Sequence, residues 1–191
     1  MGLNLGSSGE YKPYCKYNAK SGRWYVKKDD AEQEVTNPTF VADFDNIKTG
    51  WFLFLEGQAP NIVYDADLST PAPKPSDAHK RGFELELFSQ NLFGGVVVMS
   101  AASMHTCNAV NELYEQYEKE RDANKGMLPV VQAVGATPMK DKFGTNYRPD
   151  LKILKWVTRP AELEGSKSAA PVASAAPATQ AAPVQSSVSE F

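Results

Sequence analysis

Apolar and polar positions alternate with period two over several short stretches of the chain, and this pattern predicts strands. In Arg23 to Lys27, Trp24 and Val26 share one face while Arg23, Tyr25 and Lys27 share the other. In Phe83 to Phe88, Phe83, Leu85 and Leu87 oppose Glu84, Glu86 and Phe88. Pro38 to Asp45 gathers Phe40, Ala42 and Phe44, and a strand resumes at Trp51 to Leu55 after the punctuating run Asn46 to Gly50. Asn18 to Gly22 has turn composition, so residues 14–28 read as a hairpin, with Ile62 to Tyr64 a short strand further on. Gly95 to Met99 reads as the partner of 83–88. Leu128 to Gly135 and Leu151 to Thr158 read as strands flanking a basic hairpin loop over 139–148.

The period becomes helical once. Cys107, Val110, Leu113, Tyr114 and Tyr117 form a stripe, with Glu112, Glu115, Glu118 and Glu120 on the other faces, Ser103 as cap and Gly126 as stop. With no βαβ alternation, a run of short strands and one helix predicts a mostly β fold, best matched by a small antiparallel barrel with one inserted α-helix.

In 191 residues there is room for one medium domain and a tail. The composition changes after Pro160. From Ala161 to Phe191 the chain is almost wholly Ala, Pro, Ser, Val, Gln and Thr, too poor in bulky side chains to offset its ordering entropy. The expected organisation is a flexible arm over 1–13, a domain over 14–160 and a disordered tail over 161–191. The tail closes on Glu190-Phe191, a lone aromatic that reads as a docking peptide or as chance. The two cysteines, Cys15 and Cys107, make no CxxC pair, and the opening residues carry no apolar leader, so a reducing, cytoplasmic setting is expected. The apolar runs at 51–55 and 96–99 are too short to cross a bilayer, and no membrane partner is expected.

Charge changes the picture. Twenty basic and twenty-three acidic residues give a net charge of -3, which excludes a polycation of the histone kind. Yet residues 11–28 hold Lys12, Lys16, Lys20, Arg23, Lys27 and Lys28 with no acid, and 137–160 hold six bases against Asp141 and Asp150. Aromatic residues stand among both sets. Single-stranded nucleic acid needs this mixture, cations for phosphates and flat rings for unpaired bases. The residues that fit such contact are Lys16, Tyr17, Lys20, Arg23, Tyr25, Lys48, Trp51, Lys140, Lys142, Tyr147, Arg148 and Trp156. The competing reading makes the rings core and the bases a solvated face; it is favoured for Trp24 and evenly balanced for Trp156.

Enzyme chemistry finds little support. Asp43-x-Asp45 and Asp65-x-Asp67 each put two carboxylates on one strand face, a weak signal for a metal-dependent nuclease. GxxxxGK, GxSxG and GxGxxG are absent, so neither a catalytic role nor a cofactor is expected.

The phrases YNAKSGRWYV, PTFVADFDNIKTGW, EGQAP and GTNYRPDLKILKWVTRP resemble a family of bacteriophage-encoded single-stranded DNA-binding proteins of the OB-fold type, over residues 14–160. The resemblance implies an OB-like Greek-key barrel that binds displaced single strands during phage DNA replication or recombination. It also implies a tail that recruits other replication or recombination proteins. Glu190 and Phe191 match only the last step of such tails, since the acidic run before the terminal phenylalanine is missing. A homo-oligomer is compatible with this reading, and a phage structural or protein-docking module is its alternative.

Overall fold

The computed structural model describes residues 13–28, 31–142 and 144–167. They form a mostly β structure in which ten strands join one sheet. In chain order these are β1 (Tyr14–Asn18), β2 (Arg23–Lys28), β3 (Ala31–Val35), β4 (Thr39–Ala42), β5 (Lys48–Leu53), β6 (Asn61–Tyr64) and β7 (Lys80–Ser89). After the short helix α1 (Gln90–Phe93) come β8 (Gly95–Ala101), the long helix α2 (Met104–Glu120), β9 (Met127–Asp141) and β10 (Gly144–Thr158). The sheet runs β10-β9-β4-β7-β8-β1-β2-β3, and β5 leaves this path to pair with both β6 and the first half of β7.

The alternation seen in the sequence decides which side chains are covered. Cys15 and Tyr17 of β1, Trp24 and Val26 of β2, Phe40 and Ala42 of β4, and Phe83, Leu85 and Leu87 of β7 all enter one core. Val110, Leu113 and Tyr117 of α2 join it, so the helical stripe faces the sheet. Aromatic contacts run through this core, with ring centroids 5.0 Å apart for Tyr17 and Trp24 and 6.1 Å for Trp24 and Phe40. α2 lies against β10, where Trp156 stacks on Tyr117 at 5.6 Å.

Several features depart from the expected antiparallel barrel. The sheet is mixed, because β1 runs parallel to β8, with Tyr14 opposite Val98 and the Val98 amide donating to the Pro13 carbonyl. It is not closed: among the described residues no ladder joins the end strands β10 and β3. The 139–148 segment is mostly ladder rather than loop, since β9 and β10 pair from Met127 and Thr158 out to Asp141 and Gly144. Ser103 precedes α2 as foreseen, but its side chain makes no cap bond, and the helix gives way to turns at Arg121, before Gly126.

Packing also continues past Pro160, where a boundary was expected. Ala161–Lys167 form a 3₁₀ turn whose Leu163 is fully buried against Val41, Leu128 and Val130. That cluster covers the other face of the sheet, and Arg159 donates to the Leu163 carbonyl at 3.2 Å, so one buried leucine and one hydrogen bond tie the segment there. The expected arm (save Pro13) and the tail beyond Lys167, with Glu190 and Phe191, lie outside the described residues.

Candidate nucleic-acid interface

An open groove of about 980 Å³ lies where the end of β1, the start of β7, the link from β8 to α2 and the first turn of α2 meet. Lys16, Lys20, Lys80, Arg81 and His105 line it, and among the described residues no carboxylate does. Asn146 of β10 completes the wall. The β1–β2 turn is fixed there by its own chemistry. Gly22 takes φ +69°, a left-handed conformation that glycine adopts without a Cβ clash, and the Tyr147 ring packs 3.1 Å from where a Cβ would stand. The Tyr147 amide donates to the Ala19 carbonyl at 2.6 Å, which ties β10 to this turn.

Arg81 is the most firmly placed cation. It gives Asp65 two hydrogen bonds of 2.8 and 2.6 Å, and its guanidinium carbon lies 5.3 Å from the centre of the Trp51 ring. Asp65 also accepts from the Thr49 hydroxyl and the Ala72 amide. Arg81, foremost among these donors, holds the Asp65 carboxyl down at about 2. Trp51 is thereby half-buried, its indole N–H donating to the Ala72 carbonyl, with Lys74 on the ring as well. Lys20 and Lys80 are exposed and make no ion pair among the described residues.

The residues singled out from the sequence divide into three groups. Lys16 and Lys20 line the groove, Tyr147 packs beside it, and Trp51 touches it through Arg81. Lys140 and Lys142 are exposed near the tip of the β9–β10 hairpin, a few residues beyond the groove residue Asn146. A second group occupies sheet faces with acidic neighbours. Lys16 meets Glu32 at 2.5 Å and Arg23 meets Glu34 at 2.8 Å, both acids on β3, while Tyr25 lies under Lys16 with 5.4 Å from the ammonium to the ring. Lys48 stands 3.6 Å from Glu84 and over the Tyr64 ring.

The third group is engaged elsewhere in the fold, and of its members only Tyr17, as a buried ring, touches the groove wall. Tyr17 is a buried core ring, because its strand alternation turns it inward beside Trp24. Arg148 pairs with Glu112 of α2. Trp156 is held by stacking on Tyr117 and by donating to Glu120 at 3.1 Å. It lies ten residues along β10 from Asn146, about 33 Å at the rise of a strand. The twelve residues therefore do not share one groove, and the groove that forms is lined also by Lys80, Arg81 and His105.

Those groove residues, Lys80, Arg81 and His105, were not singled out from the sequence. Lys80-Arg81 follow the proline-rich loop and open a strand, which is the one local signal they carry. The carboxylate pairs have other partners. Asp43, fully buried, is bound by Arg159, and Asp45 accepts from Tyr117 and lies near Arg159 and Arg121. Asp65 belongs to Arg81, and Asp67 accepts from the Ser69 amide. Among the described residues no three His, Cys, Asp or Glu side chains are grouped to hold a metal ion, and no helix is long and apolar enough to cross a membrane.

Compared with protein families, with curated proteins and with solved structures, the chain matches none of them.

Proposed function

We propose that the chain binds single-stranded DNA with little regard to sequence, covering strands displaced during phage replication or recombination. The observation that carries this reading is the groove, where Lys16, Lys20, Lys80, Arg81 and His105 meet; Glu32 and Asp65 engage Lys16 and Arg81 from outside its walls, while Lys20 and Lys80 have no ion pair among the described residues. Such a groove follows a phosphate backbone by charge, and the half-buried Tyr147 ring packed beside it is the candidate face on which a base stacks. The net charge of -3 is no obstacle, because the charge that a phosphate backbone meets is the local one of the groove walls.

An OB-type barrel is part of the proposal. Taken in chain order as strands one to five, β4, β7, β8, β9 and β10 stand side by side in the sheet as three-two-one-four-five, with α2 between the third and the fourth. OB barrels bind across strands two and three and the loops joining one to two and four to five. Here that corresponds to β7, β8 and the β9–β10 hairpin, where the groove opens. In this reading the parallel pairing of β1 with β8 brings Lys16 and Lys20 to the same face.

The test is a fluorescence anisotropy titration with labelled oligo(dT) at several salt concentrations. Affinity should fall steeply with salt, with a logarithmic slope of about -0.7 for each phosphate neutralised, and duplex should bind more weakly. Reversing both Lys20 and Lys80 to Glu should reduce affinity and flatten that slope. A folded protein that ignores oligo(dT) at low salt, or a double reversal without effect, would overturn the proposal in favour of a protein-docking role.

A further inference from the structure

A second cavity, of about 360 Å³, adjoins the groove and shares Arg81, Cys107 and Asn108 with it. Its character is different. Ile47, Phe83 and Val110 give it apolar walls, Tyr114 adds an aromatic ring, and Asn111 stands at its border on α2. Gly82 of β7 also lines it, and the close packing of that strand needs glycine there, since a Cβ would come within 2.4 Å of the Ala101 carbonyl and 2.7 Å of Phe52. Its volume falls in the range of small-molecule sites, enough for one planar heterocycle with its sugar and too little for a stack of several.

The geometry points to this cavity as a socket for one unstacked base of the strand that lies in the groove, a role that rests on the DNA-binding reading above. Arg81 stands on the boundary. A guanidinium has five N–H donors, and two of them go to Asp65, which leaves donors for a phosphate on the groove side or a base carbonyl on the socket side. Because Asp65 and the Trp51 ring already hold Arg81, little side-chain freedom is lost when a ligand arrives. Asn108 and Asn111 carry both donor and acceptor groups, suited to the edge of a base. The apolar walls and the Tyr114 ring suit its faces. A backbone threading Lys80 and Arg81 passes the mouth of the socket, so one nucleotide enters while its neighbours remain along the groove.

The experiment separates phosphate from base. An oligomer built wholly of abasic deoxyribose-phosphate units is compared with the same oligomer carrying one thymine near its middle, whose two carbonyl oxygens suit Arg81. Both should bind the native chain at low salt, and the thymine should raise affinity about tenfold, the scale of one well-held base. Asn111→Trp, at an exposed position that lines the socket and not the groove, should abolish the gain from thymine while leaving the abasic oligomer's affinity unchanged. Failure of the abasic oligomer to bind would defeat the groove reading itself. Binding of both oligomers with equal affinity would overturn the socket alone, and so would an undiminished thymine gain in Asn111→Trp.

Discussion

The groove and the opposite end of β10 are made of the same ingredients, rings and positive side chains, yet they are built to different ends. At the far end the arginines are held by acids. Arg159 is bound by Asp43 and Asp45, Arg121 by Glu118 and Asp45, and the Trp156 indole donates to Glu120 while its ring lies on Tyr117. At the groove Lys20 and Lys80 have no carboxylate partner among the described residues, and Arg81 has one that fixes its position. A carboxylate within reach turns a cation into structure; its absence leaves charge for a ligand. Amino-acid content alone does not distinguish the two regions.

The largest effect in this contrast should come from the far end. Arg159→Met leaves the wholly buried Asp43 carboxylate without its cation, and an uncompensated buried charge costs about 3–5 kcal/mol. Urea unfolding should show that loss in the midpoint, with oligo(dT) affinity retained wherever the protein stays folded. A loss below about 1 kcal/mol would mean that the pair is not structural. Leu163→Ala should cost about 2–4 kcal/mol, because it removes a fully buried side chain from the cluster with Val41, Leu128 and Val130. Ending the chain at Pro160 should destabilise it by a similar amount, whereas ending it after Lys167 should not.

Arg81 joins both behaviours, and pH separates them. Asp65 titrates at about 2 in the folded chain against an ordinary 3.8, so its contribution is fully present above pH 3.8 and is lost as pH falls towards 2. With Arg81 partly exposed, that contribution is about 1–2 kcal/mol. Arg81→Met should therefore lower stability at neutral pH by that amount, with the gap from the native chain closing below pH 4. A gap that stays constant from pH 7 to pH 2 would show that the pairing contributes nothing through ionisation.

Much of the fold was legible because local alternation and burial agree. Trp24 with Val26, Phe40 with Ala42 and Phe44, and Phe83 with Leu85 and Leu87 were assigned to one face each, and all are buried. What escaped depended on distant partners. β3 reads AEQEV, with no apolar alternation, and it is a strand because β2 supplies its ladder and Lys16 and Arg23 supply its counter-charges. The parallel neighbour of β1 lies some eighty residues further along the chain, beyond any local pattern. The site suffered most, since the pairing of a base depends on acids far away in sequence. Arg148 finds Glu112 and Lys16 finds Glu32 by tertiary placement, while Lys80 and Arg81 had only a two-residue signal. Leu163 was hidden by the composition around it.

The smallest effect on stability is the sharpest on binding. Lys20 and Arg23 lie three residues apart, the first within the β1–β2 turn and the second opening β2, and both are exposed. Arg23 is engaged by Glu34 at 2.8 Å, whereas Lys20 faces the groove. Each change to Glu should alter stability by no more than about 0.5 kcal/mol, the scale of surface substitutions and exposed pairs. Lys20→Glu should nevertheless lower oligo(dT) affinity and reduce the salt slope by about 0.7, while Arg23→Glu should leave the slope unchanged. Equal losses from the two variants would mean that the general field of the basic segment, rather than the groove, attracts the strand. Unequal losses, at two exposed charges so close together, require a contact made by Lys20 and not by Arg23.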